Sequence, residues 1–452
     1  MNARLLQEAR RKDSSSASGV TRRDFLRAAS VGATSAAVFG SGGWVLAAKP
    51  ARRPKVAAVI THFTHRSHAH VLLENFLEPY YFNGVLTDPG VDVVSLYADQ
   101  LPPGDMSRKV CADYNIATYK TISEALTLGG KELAVDAVLS IGEHGDYPYN
   151  ELGQHMYPRK RFFDQIVAVM KRSNRFVPLF NDKHLSYRWD WAKEMVDTAK
   201  NLGIPLMAGS SVPLAERKPR LEIPDGAEIE EAVSIHGGGV ESYDFHALEV
   251  LQSMVEGRQG GETGVSQVQF LDTDGLFQAA RQGRWSVELA EAAMAAELGK
   301  KPTDLKSFHA NPHGILLTYK DGFKATVVRI GGANRWNFAC RFKGKREIHA
   351  TNFNVGPWQN RNLFKALSHA IQDHFTHGRA PYPVDRTLLV TGILDASMHS
   401  RHEADKVMLT PQLEFAYQPI DFRAMREMGA SWQIITEETP EPMGINPNGT
   451  KS

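Results

Sequence analysis

Between residues 55 and 209 the chain alternates short apolar runs with segments whose apolar residues recur at helical spacing, and this alternation constrains the fold more than any other feature. Residues 55–61 (KVAAVIT) and 135–141 (VDAVLSI) are nearly continuous apolar runs, the pattern of strands covered on both faces. Residues 92–97, 177–180 and 205–209 read as further strands of the same sheet. Between them, Ser67 caps a helix with an apolar stripe of Leu72, Leu73, Phe76 and Leu77, and helices follow over 122–128, 161–172 and 189–201, the last ended near Gly203. Such a series predicts an α/β fold with a doubly wound, Rossmann-like parallel sheet across 49–215.

Beyond residue 215 the pattern changes. Residues 229–235, 265–270, 314–319, 323–330, 336–342 and 345–351 read as strands joined by short turns such as Lys320-Asp321-Gly322, with helices over 245–256 and 286–298. This predicts an α+β domain over 216–360 with a largely antiparallel sheet. Helices over 360–377 and 385–402 are expected to fold back on the first domain as a 361–405 unit, leaving 406–452 as a C-terminal extension.

The start of the chain is set apart by charge. The total is +1, yet residues 1–47 carry seven Lys/Arg against three Asp/Glu, so the leader holds +4 and the remainder about −3. Thr21-Arg22-Arg23-Asp24-Phe25-Leu26, then a weakly apolar, glycine-rich run ending Val45-Leu46-Ala47-Ala48, resembles a twin-arginine export signal over residues 1–48. That resemblance implies passage through the twin-arginine machinery to the periplasm or the exterior. Gly32, Gly40, Gly42 and Gly43 make the run too polar for a stable membrane span. The rest of the chain has no block of Lys/Arg, which argues against nucleic acid as a partner. At 42% hydrophobic and 23% charged the composition is globular, and two cysteines, Cys111 and Cys340, cannot build a thiolate zinc site on their own. A metal site would have to use carboxylates and some of the 17 histidines, all of which follow residue 60.

Three stretches carry a family resemblance. Asp182-Lys183-His184-Leu185 with the following helix and strand is similar to a Glu-Lys-Pro-Leu segment; Gly237-Gly238-Gly239 through Asp244-Phe245-His246-Ala247-Leu248-Glu249 resembles a glycine run leading into a histidine-bearing helix; residues 364–378 and 390–397 are similar to closing helices. In this order they resemble the Gfo/Idh/MocA family (glucose–fructose oxidoreductase, inositol dehydrogenase and rhizopine catabolism). The resemblance implies an oxidoreductase using NAD or NADP on a sugar, polyol or glycoside hydroxyl, and a homo-oligomer formed through the second sheet. It makes Lys183 and His246 catalytic, with Asp182 beside the cofactor. An imidazole and a lysine suit the proton transfer and charge stabilisation such a reaction needs.

The chain departs from that pattern where the cofactor belongs. In place of Gly-x-Gly-x-x-Gly the first strand is followed by Thr61-His62-Phe63-Thr64-His65-Arg66-Ser67-His68-Ala69-His70, without a glycine. Thr61, His62, His65, Ser67 and His68 are the candidates to hold a pyrophosphate at the helix N-terminus, and Asp99 is the acid that would meet a ribose. Residues 142–149, Gly-Glu-His-Gly-Asp-Tyr-Pro-Tyr, leave another strand at its ligand-binding end. There Gly142 and Glu143 are cofactor candidates, and His144 and Tyr147 are acid–base candidates. Alternatively His62, His65, His144, Asp146 and His184 join around a metal ion and run a lyase or hydrolase reaction on carbohydrate. A non-catalytic binding protein is the third possibility.

Overall fold

The computed structural model describes residues 52–332, 335–441 and 445, so the export signal expected over 1–48 lies outside the described residues. The first sheet has six strands: β1 (Lys55–Ile60), β4 (Asp92–Ala98), β5 (Ala117–Thr118), β6 (Ala137–Ile141), β7 (Leu179–Asp182) and β8 (Leu206–Gly209), with a small hairpin of β2 (Tyr80–Phe82) and β3 (Val85–Thr87) after the first helix. Its order is β5-β4-β1-β6-β7-β8 and every pairing in it is parallel. The doubly wound sheet expected from the sequence is therefore present. Val56, Ala57, Ala58, Val59 and Ile60 are all fully buried because β1 is central and covered on both faces. Burying each larger aliphatic side chain of that kind contributes about 1.5–3 kcal/mol.

Helices α1 (His68–Leu77), α2 (Ser107–Tyr114), α3 (Ile122–Thr127), α4 (Arg159–Arg172) and α5 (Trp189–Leu202) flank the sheet. The strand order reverses between β1 and β6, the switch point where open α/β sheets bind ligands. The turns leaving those two strands are the segments 61–70, with four histidines, and 142–149, with His144. Hairpin β2–β3 and helix α2 were not expected; α2 buries only Ser107, Val110 and Cys111, too few to give a helical stripe.

The second sheet runs β16-β11-β12-β13-β10-β14-β15-β9. Its strands are β9 (Glu216–Lys218), β10 (Ile229–His236), β11 (Val265–Leu271), β12 (His313–Tyr319), β13 (Lys324–Arg329), β14 (Trp336–Phe342), β15 (Ile348–Asn354) and β16 (Met408–Leu409). Only β10 and β13 pair in parallel; the other pairings are antiparallel. β15 begins three residues later than the expected 345–351, after the turn that follows Phe342. Helices α6 (Ser242–Val255), α7 (Thr273–Arg281) and α8 (Val287–Leu298) belong to this half. α9 (Asn360–His377) packs on α1, and α10 (Val384–His402) lies against β8, α5, α6 and β11, spanning both sheets. The extension also returns: Trp358 donates its indole N–H to the Thr439 carbonyl at 2.9 Å, and Glu441 pairs with Arg66 and Arg361 at the start of α1 and α9. Among the described residues no helix is long and apolar enough to cross a membrane.

Candidate active site

The ends of β6 and β7, the start of α6, β14 and the start of α9 enclose a cavity of about 460 Å³. Arg66, His68, Glu143, His144, Tyr157, Lys183, Tyr243, His246, Trp336 and Phe364 are among its walls. The volume lies within the range of small-molecule sites, roughly 300–1,000 Å³. Four non-glycine residues on the walls, Arg66, His144, Lys183 and Gln359, hold positive φ of 60°, 68°, 60° and 53°. Such backbone strain persists only where surrounding structure enforces it, and it collects at functional sites.

Lys183 follows the last residue of β7. Its Nζ lies 2.8 Å from Glu143 Oε1, while Arg159 Nη2 pairs with Glu143 Oε2. Burial alone would raise the Glu143 carboxyl, but Lys183 and Arg159 outweigh it and hold it well below the usual range. His184, next in the chain, faces Arg159 Nη1 at 3.0 Å, and burial followed by that positive charge keeps its ring neutral.

His246 sits in α6 with Nδ1 2.6 Å from Ser210 Oγ. Burial, then Lys183, lowers it well below the ordinary imidazole value, so it is a neutral ring at physiological pH. Its helix is anchored beneath the pocket by a buried network: His236 Nε2 and His313 Nε2 lie 2.8 and 2.7 Å from Asp244 Oδ1, and Asp244 Oδ2 accepts the Glu241 N–H at 2.8 Å. The glycine run permits the close approach of other groups here. A Cβ on Gly237 would lie 1.8 Å from the Gly331 carbonyl, and one on Gly238 would lie 2.0 Å from the Tyr243 ring.

The histidines behind β1 do two different things. His68 Nδ1 is 2.6 Å from Asp182 Oδ2, so two departures from the family pattern pair with each other. His144 stands edge-on to His68 at 4.9 Å and alongside His62 at 5.9 Å, and its Nδ1 accepts the His68 backbone N–H at 3.4 Å. Burial lowers the His144 ring to about 3. His65 is exposed against the His70 ring, whose Nδ1 accepts the Arg66 N–H at 2.8 Å. Ser67 caps α1 as expected, accepting the His70 N–H.

The remaining candidates do not line the cavity. Thr61 donates to the Glu143 carbonyl at 2.6 Å, and Gly142 lies against the Arg159 side chain. The Tyr147 hydroxyl donates to Asp99 at 2.6 Å, and Asp99 also accepts from Tyr97 and Arg161. The five residues proposed as metal ligands are not assembled. His184 faces Arg159, and Asp146 is exposed with its backbone tied to Gln100 at 2.8 and 2.9 Å. Among the described residues the one group at ligand spacing is His236, Asp244 and His313, whose contacts are already satisfied as hydrogen bonds.

Several residues that hold the wall groups in place escaped sequence reasoning. Arg159 is the clearest; its signal is a basic residue in the first turn of α4, where the helix dipole disfavours one. Ser210 and Glu241 gave no signal beyond lying near the glycine-rich and strand-end segments.

The same geometry tests the dinucleotide seat. A pyrophosphate needs free N–H groups at the start of α1 and room above the end of β1. Here His144 takes the His68 N–H, His70 takes the Arg66 N–H and Ser67 takes the His70 N–H. The loop from β6 is fastened across to Gln100 and Asp99 at the end of β4. The residues in this arrangement do not fit a dinucleotide laid over the sheet edge.

No family model matches the sequence, and no curated protein matches it. Solved structures nevertheless share the architecture, which is that of two-domain dehydrogenases. Myo-inositol dehydrogenase from Lactobacillus casei in complex with NAD(H) and myo-inositol is 15% identical, with 82% of this chain and 100% of that chain covered and a TM-score of 0.51. Scyllo-inositol dehydrogenase from the same organism, with NAD(H) and scyllo-inositol, is 8% identical over 79% and 99% at a TM-score of 0.50. Myo-inositol 2-dehydrogenase from Lactobacillus plantarum is 12% identical over 79% and 99%, also at 0.50. The fold is therefore the one these inositol dehydrogenases share.

Proposed function

We propose that this chain is an enzyme that moves a proton at a hydroxyl of a sugar, polyol or glycoside held in the cavity between its two sheets. One observation carries the reading: the cavity wall joins Lys183, paired to Glu143, with a neutral His246. Lys183 steadies negative charge developing on the substrate oxygen, and His246 gives or takes a proton. Trp336 and Tyr243, stacked at 5.8 Å, offer an aromatic face to a sugar ring. With the start of α1 sealed by His144, the chemistry is of the lyase, hydrolase or isomerase kind.

A second reading, NAD(P)-dependent oxidoreduction, draws support from the fold, since solved neighbours hold NAD(H) with inositols. It requires residues 142–149 to lift from α1. Incubating the full chain with a panel of sugars, polyols and glycosides and following product mass separates the two. Loss of water, gain of water or an unchanged mass with altered retention supports the first; loss of two hydrogens, dependent on added NAD(P), supports the second. Neither a product nor a thermal shift with any member overturns both. Export by the twin-arginine route is proposed alongside and is tested by replacing Arg22 and Arg23 with lysine and locating the protein.

A further inference from the structure

We propose that His68 is a general base of this cavity and that Asp182 is its positioning residue, a role that rests on the substrate pocket proposed above. His68 Nδ1 lies 2.6 Å from Asp182 Oδ2, and Asp182 is buried at the end of β7 immediately before Lys183. A carboxylate there accepts the Nδ1 proton and leaves the Nε2 lone pair free. Nε2 has no hydrogen-bond partner among the described residues, and His68 is a wall of the cavity. The ring is fixed from two further sides, edge-on to Phe364 at 4.6 Å and to His144 at 4.9 Å. Its backbone N–H is held by His144 Nδ1 at 3.4 Å.

This is the base–orienter arrangement by which an imidazole takes a proton and the imidazolium formed is stabilised by a buried carboxylate. The step is balanced within the cavity. A substrate O–H breaks, its electron pair stays on oxygen beside Lys183, and the proton forms an Nε2–H bond on His68. The dyad also explains why two positions depart together. A histidine in the glycine-free turn has no carboxylate to orient it unless the residue before Lys183 is an acid of matching reach.

Histidine-selective 15N labelling of the full chain, read by two-bond proton–nitrogen couplings, tests the dyad without a substrate. His68 is expected to carry its proton on Nδ1 at neutral pH, and Asp182→Ala is expected to change that tautomer. A proton on Nε2, or a tautomer indifferent to Asp182→Ala, overturns the proposal. With any substrate found in the panel, His68→Ala is expected to lower kcat by about 10²–10⁴-fold with little change in KM, and free imidazole to restore part of it. An unchanged kcat overturns the role. If the panel yields no substrate, the pocket reading fails on its own, while the tautomer still decides the dyad.

Discussion

Lys183 Nζ and Arg159 Nη2 meet on one carboxylate, Glu143, and the Lys183 contact measures 2.8 Å with both partners almost fully enclosed. Two basic groups share one acid inside the protein, so that acid organises the floor of the pocket. Replacing Glu143 by Ala leaves both basic side chains buried without it and is expected to destabilise the fold by about 3–5 kcal/mol in denaturant unfolding. Removing Asp197 from its exposed pair with Lys193 is expected to cost no more than about 1 kcal/mol.

Lys183→Ala and His246→Ala address chemistry. Each is expected to lower kcat by about 10²–10⁴-fold on a substrate from the panel while the far-ultraviolet circular dichroism stays native. Wild-type turnover in either variant would remove that residue from the mechanism.

Gly238→Ala tests the second wall. A Cβ there would overlap the Tyr243 ring at 2.0 Å and push it from its stack on Trp336. The expected outcome is a folded protein that has lost binding of the sugar or polyol, measured by calorimetry.

Acid should weaken the fold. His144, lowered to about 3, and His70, lowered to about 4 by burial, sit below their unfolded value of 6.5, as do His184 and His246. Their stabilising contribution is complete above pH 6.5 and is lost as pH falls toward those folded values, because the unfolded chain binds the protons. Glu241 and Glu249, raised to about 7 by burial, act oppositely between 4.5 and 7, gaining stability as pH falls. Among the described residues the lowered histidines, His62, His65, His155, His236, His309, His369 and His374 included, outnumber the raised carboxyls, Glu74, Glu231, Asp395 and Asp405 included, which predicts a lower Tm at pH 5 than at pH 7.5. His144→Gln is expected to narrow the difference.

Much of this fold can be read from residue patterns, because β1 and β6 are nearly continuous apolar runs and helices α4 and α5 keep an apolar stripe. α2 and hairpin β2–β3 are too short and too lightly buried to leave such a trace. The site was legible in part. Lys183, His246, Glu143, His144 and His68 stand on the cavity wall, whereas Tyr147 and Asp99 bond to each other outside it. Which histidine meets which carboxylate depends on distant strands coming together, as His68 does with Asp182 across 114 positions. The same holds for His236 and His313, which converge on Asp244 although no local motif announces them.

The sealed start of α1 is the feature on which the chemistry turns. Nicotinamide released by denaturing the purified full chain, counted per chain and paired with NAD and NADP titrations of thermal stability, addresses it directly. With His144 seated on the His68 N–H, no bound nicotinamide and no thermal shift are predicted. Nicotinamide at near one per chain would contradict the sealed seat and establish oxidoreduction instead.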